Sequence, residues 1–387
     1  MSFLTFQSQL QTSLDARHKQ ALYRQRYASV PRGRTVVIQG QSYLNFSGND
    51  YLGLSLHPDI QDAYAKGADI YGCGSTGSAL INGYHAIHQD LEHKLADWLG
   101  YESVLLFSTG FSANSTLLKT LFDKHDLIIQ DKLNHASLID GGLASEAKTI
   151  RYKHNDMTHL ANRLEAHAQN KVIVSEGVFS MDGDSAPIKD IQLLAKKHDA
   201  LTMIDDAHGI GVNGQQGQGT WHCQNAQRPD ILMATFGKAF GLAGAMIAST
   251  QPVTDYLVQF SRSYIYSTAM SPAQATAISK AVDVLKSEAW RREKLASIIA
   301  RFRANLAHEK VSLLDSTSAI QPVIIGDAAQ AISVANRLRE KGIWLTAIRP
   351  PTVPENSSRL RITLTTEHTI EDIDYLTKTI SQVCNES

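Results

Sequence analysis

The stretch ATFGKAFGLAGAMIAS, residues 234–249, contains a single charged side chain, that of Lys238. A lysine is rarely buried unless it is paired, so an amine among glycine, alanine and aromatic residues needs an explanation. One interpretation is a lysine at a loop tip that extends its amine into water. The other is an amine held as a nucleophile, able to form a Schiff base with a carbonyl group. The stretch by itself leaves both open.

Two more reactive groups follow the apolar run LTMI, where Asp205 is followed at a short distance by His208. A carboxylate at the end of a buried strand is unfavourable without a partner, and the protonated ring nitrogen of a ligand would be one. An Asp that caps the next segment, with His208 as a neighbour, is an equal alternative. Lys238 follows Asp205 at about the length of one βαβ unit, roughly 30 residues, so the two could lie on adjacent strand ends.

A helix start is the fourth candidate feature. TGFSAN, residues 109–114, follows the apolar run SVLLFS with small residues that leave backbone N–H groups accessible to a phosphate. An ordinary strand-to-helix turn has the same composition. Neither a P-loop nor GxGxxG is present here, so a nucleoside triphosphate or a dinucleotide is not indicated.

The elements that must position these groups are strands that alternate with helices from about residue 85. Such alternation predicts a mostly parallel sheet covered by helices, with ligands at the carboxyl ends of its strands. The predicted strands are SVLLFS, DLIIQ, KVIVSEG, LTMIDDA, DILMATF and GAMIAS, with helical spacing at 112–122, 157–168 and 189–199. Before them we predict an amphipathic helix over 4–27 and a hairpin in TVVIQGQSYLNF, with Gly40 near its turn.

The pattern changes after about residue 272 to that of a smaller α+β unit. The predicted elements are helices at 273–287 and 290–308, the strand AIQPVIIG, a helix at 328–341, the strands IWLTAI and RLRITL, and a helix at 370–384. We therefore predict an N-terminal segment over 1–45, a large domain over 46–285 and a small C-terminal domain over 286–387.

Composition excludes several classes of protein. The 37 basic and 38 acidic residues nearly balance, so neither nucleic acid nor an anionic membrane is an expected partner. No apolar run approaches the roughly 20 residues of a membrane span, and the N-terminus does not have the pattern of a secretory signal. The three cysteines, Cys73, Cys223 and Cys384, show neither metal-ligand nor disulfide spacing. We expect no metal and a cytoplasmic location.

The candidate groups gain a combined meaning when His135, which follows the strand DLIIQ, is added. Lys238 could bind an aldehyde, Asp205 a pyridine nitrogen and the helix start a phosphate, while His135 could stack on a ring. These are the requirements of pyridoxal 5'-phosphate, whose aldehyde, ring nitrogen and phosphate must be held together.

Longer motifs carry a resemblance over nearly the whole chain. They are YLNFSGNDYLGLSLHP, STGFSAN, NHASLIDG, EGVFSMDGD, DDAHGIGV, TFGKAFG, YSTAMSP and AIRPPTVPENSSRLRITLT. With them the chain resembles the α-oxoamine synthases, which are class II pyridoxal-phosphate-dependent aminotransferase-family enzymes of fold type I. The resemblance implies a large domain with a mostly parallel sheet covered by helices, and a smaller C-terminal α+β domain.

The resemblance also implies a role for individual residues. Lys238 would form the Schiff base, Asp205 would hold the pyridine nitrogen, His208 would contact the ring oxygen and His135 would stack on the ring. The remaining implied cofactor contacts are Gly110, Phe111, Ser180, Thr235 and Thr268. Of these, Thr268 would reach the phosphate of a partner subunit, which implies a homodimer with shared active sites.

The implied substrate contacts are Arg24, Asn49, His135, Arg349, Thr352 and Arg361. Arg26 is an alternative to Arg24, because ALYRQRY allows more than one alignment. Arg361 is the preferred anchor for the amino acid carboxylate and Arg349 its alternative, since a guanidinium pairs with a carboxylate through two bonds. Arg359 and Arg361 alternate on one strand, a spacing that is also typical of a solvated face.

The resemblance implies an acyltransferase in biotin biosynthesis. It would condense a pimeloyl thioester, carried by coenzyme A or acyl carrier protein, with glycine or, as the family's alternative, L-alanine, and release CO2. The TAIRPPTVP version of the C-terminal motif favours the pimeloyl group. A sister synthase with another acyl-CoA and a fold-type I aminotransferase are the alternative functions.

Overall fold

A computed structural model of the chain describes residues 3–20 and 22–385. It divides into two units. The terminal unit contains the residues up to Gly48, residues 181–183 and those from Ala296 onwards, and the central unit contains 49–180 and 184–295. The predicted boundaries at 45 and 285 remain a prediction. None of the helices in the described ranges is both long and apolar enough to cross a membrane.

The described chain alternates helices and strands over most of its length. The helices are α1 (Phe3–Lys19), α2 (Pro58–Tyr71), α3 (Ala86–Leu99), α4 (Gly110–Leu121), α5 (Ala136–Ala144), α6 (Met157–Leu164), α7 (Ile188–Lys197), α8 (Thr220–Cys223), α9 (Gln251–Phe260), α10 (Arg262–Ile265), α11 (Pro272–Ser287), α12 (Ala289–Leu306), α13 (Ala328–Glu340) and α14 (Ile370–Asn385). The strands are β1 (Ser29–Arg32), β2 (Thr35–Ile38), β3 (Gln41–Asn45), β4 (Ser103–Phe107), β5 (Leu127–Asp131), β6 (Lys148–Tyr152), β7 (Lys171–Glu176), β8 (Leu201–Asp205), β9 (Ile231–Thr235), β10 (Ala245–Ser249), β11 (Ser312–Leu313), β12 (Ile320–Gly326), β13 (Ile343–Trp344), β14 (Thr346–Ile348) and β15 (Ser358–Thr363).

The central unit is built on a seven-stranded sheet in the order β4-β10-β9-β8-β7-β5-β6. Strand β10 is antiparallel to both of its neighbours, and the other strands share one direction, as the mostly parallel prediction requires. All six apolar runs form strands of this sheet. The sequence did not predict β6, because it lies at the edge of the sheet and its KTIRY sequence is largely exposed or half-buried.

The register of the sheet brings the predicted strand ends together. Glu176, the last residue of β7, lies opposite Asp205, the last residue of β8. Asp205 in turn lies opposite Met233 in β9, the strand that leads to Lys238. The carboxyl ends of these parallel strands therefore form one edge, where side chains from distant parts of the sequence meet.

The terminal unit contains two four-stranded sheets, ordered β1-β2-β3-β13 and β11-β12-β15-β14. The predicted hairpin is β2–β3, and Gly40 lies in its turn with φ of +82°. IWLTAI, predicted as one strand, is divided between the two sheets, because β13 pairs with β3 and β14 with β15. The terminal unit thus has the predicted α+β character.

The predicted helix over 4–27 is too long. Helix α1 ends at Lys19, and the chain over 22–28 has no regular structure, while Ala21 lies outside the described residues. No side chain of α1 is buried, so its apolar residues do not have the packing that usually stabilises an amphipathic helix.

Helices α2 and α11 of the central unit approach closely at Gly67. A Cβ atom at this position would lie 2.7 Å from Thr276 Oγ1 and 2.8 Å from Ala273 Cα. We therefore predict that Gly67→Ala lowers the free energy of unfolding by about 1–3 kcal/mol, because overpacking outweighs the gain in helix propensity of about 1 kcal/mol.

Urea denaturation followed by circular dichroism measures this difference. The exposed Ala65→Gly in the same helix calibrates the propensity effect and should lower stability by about 1 kcal/mol. A Gly67→Ala protein more stable than the original would contradict the close approach of the two helices.

Candidate active site

Lys238 lies in the short loop that joins β9 to β10. The loop is fixed at both ends, because Thr235 Oγ1 donates to the Gly244 carbonyl at 2.8 Å and the Lys238 carbonyl accepts from Gly241 N–H at 2.9 Å. Gly241 has φ of +69°, and a Cβ atom there would lie 2.2 Å from Ser55 N. Glycine is therefore required at this turn, which holds the half-buried Lys238 at the edge of the sheet.

Asp205 is the buried carboxylate at the end of β8, with 4% of its surface exposed. Its Oδ2 accepts a hydrogen bond from Asn114 Nδ2 at 2.7 Å, and its Oδ1 accepts one from Ala207 N–H at 3.0 Å. Asn114, in α4, also donates to Ser137 Oγ at 2.9 Å. Since a carboxylate has about four acceptor positions, Asp205 can still accept an N–H from a ligand.

Two further carboxyl groups lie beside Asp205. Asp206 accepts hydrogen bonds at 2.6 Å from both N–H and Oγ1 of Thr220, and burial raises its pKa to about 6. Glu176 is buried and accepts hydrogen bonds from the backbone N–H groups of His135 and Ser180. Burial, and then the charge of Asp205, raise the pKa of Glu176 well above its ordinary value.

These acidic groups make a positive charge favourable at this edge of the sheet. Glu176, Asp205 and Asp206 are all buried, and the charge of Lys238 acts on Glu176 and Asp206 to favour their ionised forms. Glu176 Oε1 has no hydrogen-bond partner among the described residues. A ligand that carries a protonated ring nitrogen would complement this arrangement.

His135 precedes α5 and caps it. Its Nδ1 accepts from Ser137 N–H at 3.2 Å and lies 2.8 Å from Ser137 Oγ, so the ring orientation is fixed. Loss of water around the ring lowers the pKa of His135, an effect opposed by Asp205 and reinforced by Lys238. The lowered pKa favours the neutral form of the imidazole. The ring of Phe111 lies 6.4 Å away, edge to face.

His208 belongs to a hydrogen-bonded chain that also includes Asn49. Its Nδ1 lies 2.6 Å from the hydroxyl of Tyr51, and this hydroxyl lies 3.2 Å from Asn49 Oδ1. Tyr51 is fully buried and was not among the predicted site residues, although it lies in the motif YLNFSGNDYLGLSLHP. These hydrogen bonds connect His208, a predicted cofactor contact, to Asn49, a predicted substrate contact.

The predicted phosphate site is the first turn of α4. Thr109 caps this helix, and Gly110 and Phe111 follow at its first positions, where backbone N–H groups have no partner within the helix. Thr268 lies beside this turn in the same chain, because its carbonyl accepts from Ser108 Oγ at 3.4 Å. Its predicted contact with a partner subunit's phosphate remains a prediction.

Three of the predicted substrate contacts belong together in the terminal unit. Arg24, Arg349 and Thr352 line one cavity of about 650 Å³. Arg26 and Arg361 are not among the residues that line it. Burial, and then the charge of Arg24, lower the pKa of Arg349, as expected for two nearby guanidinium groups.

Arg361 lies in β15, half-buried, with Arg359 at the preceding position on the same side of the strand. Arg359 is buried and forms an ion pair with Asp182, so it does not lie on a solvated face. The ion pair compensates the charge of Arg359. The role of Arg361 as a carboxylate anchor remains a prediction.

Comparison with known proteins identifies the family. The model for aminotransferase class I and II matches residues 41–380. An 8-amino-7-oxononanoate synthase from Photobacterium profundum is 47% identical over 386 residues, which cover 98% of both chains. One from Klebsiella pneumoniae is 50% identical over 377 residues, 96% of this chain and 98% of that protein. The chain belongs to the aminotransferase class I and II family, together with these synthases.

Solved structures support the same conclusion. Serine palmitoyltransferase from Sphingomonas wittichii is 29% identical, with a TM-score of 0.92 over 100% of this chain and 99% of that one. A serine palmitoyltransferase from S. paucimobilis with a bound PLP-myriocin aldimine is 27% identical, with a TM-score of 0.93 over 100% of this chain and 99% of that one. An 8-amino-7-oxononanoate synthase from Francisella tularensis is 32% identical, with a TM-score of 0.78 over 89% of this chain and 98% of that one. The predicted family and fold type I are thus confirmed.

Asn114 connects the start of α4 to Asp205, and its role was not predicted from the sequence. We predict that Asn114→Ala raises the dissociation constant of pyridoxal 5'-phosphate, the cofactor that the sequence indicates, about tenfold, because Asp205 loses a buried donor worth about 1–2 kcal/mol. Titration of the cofactor-free protein, followed by absorbance, measures this constant.

Asn213→Ala is the matched control, since Asn213 Nδ2 donates to Thr220 Oγ1 at 3.0 Å and makes no hydrogen bond to Asp205 among the described residues. Equal losses of affinity in the two variants would mean that Asn114 acts through general stability alone.

Proposed function

We propose that this chain is a pyridoxal 5'-phosphate enzyme that joins an acyl thioester to an amino acid and releases CO2. The observation that carries the proposal is the adjacency of the strand ends that bear Asp205 and Lys238. Lys238 would hold the cofactor aldehyde, Asp205 its ring nitrogen, and the α4 N-terminus with Gly110 its phosphate. Five of the similar serine palmitoyltransferase structures contain PLP, and 99% of each of them matches this chain.

The residues around the site divide the work of the reaction. When bound, the cofactor supplies an electron sink for negative charge that develops at the amino acid Cα. Asp205 keeps a proton on the ring nitrogen, because its buried carboxylate accepts that N–H. The Lys238 amine can take a proton from Cα and later return one. The neutral His135 covers the ring and excludes water from one face.

The substrates follow from the product named in the curated relatives. The product 8-amino-7-oxononanoate has nine carbons. A seven-carbon pimeloyl group joined to three-carbon L-alanine, with loss of one carbon as CO2, gives nine carbons, whereas glycine would give eight. We therefore propose a pimeloyl thioester and L-alanine as substrates, for biotin biosynthesis. The free thiol of coenzyme A or acyl carrier protein is the second product.

Arginine side chains are the proposed anchors for the carboxylate groups of the two substrates. Arg361 would bind the amino acid carboxylate, with Arg349 as the alternative, while Arg24 and Thr352 would contact substrate from the cavity that they share with Arg349. Each guanidinium can donate two parallel hydrogen bonds to a carboxylate. A sister synthase with another acyl-CoA could use the same anchor for its amino acid carboxylate and would differ in the acyl group that it accepts.

We further propose a homodimer with shared active sites. The support is an exposed apolar patch on two segments of the central unit, which an isolated β-bridge between Ser78 and Thr268 joins. On these segments Ile81 is 82% exposed, Tyr266 is 72% exposed and Leu80 is 49% exposed. Such clustered apolar side chains are typical of a surface that a second subunit covers.

A cytoplasmic location is also proposed. Cys73, Cys223 and Cys384 are all free thiols, and the first two are exposed. Exposed thiols persist where the surroundings are reducing, as in the cytoplasm.

Steady-state assays test the proposed reaction. With pimeloyl-CoA, we expect L-alanine to give a nine-carbon amino ketone with one CO2 per turnover, and glycine to react far more slowly. Mass spectrometry of the product and release of labelled CO2 measure both outcomes. Succinyl-CoA, acetyl-CoA and palmitoyl-CoA distinguish the sister synthases, and conversion of the cofactor to its amine form without CO2 would indicate an aminotransferase.

Lys238→Ala is the control for the proposed chemistry. It should bind the cofactor without the absorbance of a Schiff base and should not turn over. A variant that retains the original rate would refute the assignment of Lys238.

A further inference from the structure

The cavity of the terminal unit has a second group of side chains that the proposed reaction does not use. The cavity lies between the irregular segment 22–27, α13 and the strands β13 and β14. Arg24, Arg349 and Thr352 line one part of it. Arg339, Trp344 and Tyr27 also line it, and no predicted role involves them.

Arg339 is held in place by aromatic stacking. Its guanidinium carbon lies 4.4 Å from the ring centre of Trp344 and 5.6 Å from that of Tyr27. These two rings are nearly perpendicular and 5.4 Å apart, so both lie close to the same guanidinium. Stacking uses the face of a guanidinium and leaves its in-plane N–H groups for an anion.

The hydrogen-bond capacity of Arg339 is incompletely satisfied. Its Nε is shielded from solvent and has no hydrogen-bond partner within the described part of the chain. Arg339 is one of two arginines in the last turn of α13, where a positive charge interacts favourably with the helix dipole. The other, Arg337, donates to the Val383 carbonyl at 3.1 Å, so the two differ in what they contact.

The described lining of the cavity carries positive charge. Arg24, Arg339 and Arg349 contribute three guanidinium groups, and no Asp or Glu is among the described residues that line it. The lowered pKa of Arg349 has the same origin, since burial and the nearby Arg24 both disfavour its charged form. A bound anion would relieve this repulsion.

We propose that Arg339, held on Trp344 and Tyr27, binds a phosphate group on the carrier arm of the acyl substrate. This inference rests on the proposed function for the identity of the carrier. Coenzyme A and acyl carrier protein both present a phosphate on the pantetheine arm, so the chemistry that Arg339 recognises is shared by the two carriers. The volume of about 650 Å³ is within the range of roughly 300–1,000 Å³ that is typical of small-molecule sites.

A phosphate suits this site better than an apolar acyl chain. In both carriers this phosphate is esterified or bridged on two sides, so it has two non-bridging oxygens and one negative charge, which a guanidinium can bind through two hydrogen bonds. The part of the cavity around Arg24 and Arg349 remains available for the carboxylate contacts proposed above. The two ends of the cavity would then bind different anionic groups.

The test compares thioesters with and without the phosphate. In the cofactor-loaded enzyme, kcat/KM is measured for pimeloyl-CoA, pimeloyl-acyl carrier protein and pimeloyl-pantetheine, which has no phosphate. In Arg339→Gln, the ratio of kcat/KM for a phosphorylated thioester to that for pimeloyl-pantetheine should fall about tenfold or more, as expected for loss of a charge-assisted hydrogen bond. Arg337→Gln, in the same helix, should leave this ratio unchanged.

A fall in this ratio with both carriers supports recognition of the phosphate that they share. A fall with one carrier also supports phosphate recognition and identifies that carrier as the source of the phosphate. An unchanged ratio with both carriers, or an equal fall in Arg337→Gln, overturns the proposal. Calorimetric titration with coenzyme A and with pantetheine gives an independent result, because it requires no turnover. If wild type turned over none of the thioesters but bound coenzyme A through Arg339, the proposed function would fail and this inference would stand.

Discussion

Burial of three neighbouring carboxyl groups at one sheet edge is the constraint on which the rest of the site depends. Glu176 and Asp205 end two adjacent parallel strands and Asp206 directly follows Asp205, and each of these buried groups must be hydrogen-bonded or matched by positive charge. Thr220 satisfies Asp206, backbone N–H groups contact Glu176, and Asn114 contacts Asp205. A positive charge would stabilise these buried carboxyl groups further, which explains why the Lys238 amine and a cofactor with a protonated ring nitrogen suit this edge.

The fold could be predicted from the sequence wherever burial leaves a simple pattern. The six strands of the central sheet that are buried on both faces are near-continuous apolar runs, and their order along the chain indicated α/β architecture. Strand β6 escaped this reasoning because KTIRY lies at an edge and is mostly not buried. The N-terminal helix was predicted too long because periodicity indicates amphipathic character and does not indicate where a helix ends. Helix α1 ends at Lys19, and none of its side chains is buried.

The site could be predicted in part, and for a topological reason. Asp205 and Lys238 follow buried strands, so their adjacency depends only on neighbouring strands being parallel. Asn114 and Tyr51 act through contacts that join distant segments, and no local pattern predicts which partner a buried amide or phenol will find. Glu176 lies within the run KVIVSEG, and the sequence indicates there only the end of a strand, with no sign that its carboxyl group is buried at the site. Arg339 reads as an ordinary helix-terminal charge, and its stacking on Trp344 exists only in the folded terminal unit.

The protonation state of the cofactor ring nitrogen tests the central claim most directly. It can be measured as the ¹⁵N chemical shift of labelled pyridoxal 5'-phosphate bound to the protein, in the original chain and in Asp205→Asn. The account predicts the shift of a protonated pyridine nitrogen in the original chain near neutral pH, and that of an unprotonated nitrogen in the variant, because an amide does not stabilise the ring proton as a buried carboxylate does. An unprotonated nitrogen in the original chain, or the same protonated shift in both proteins, would contradict it.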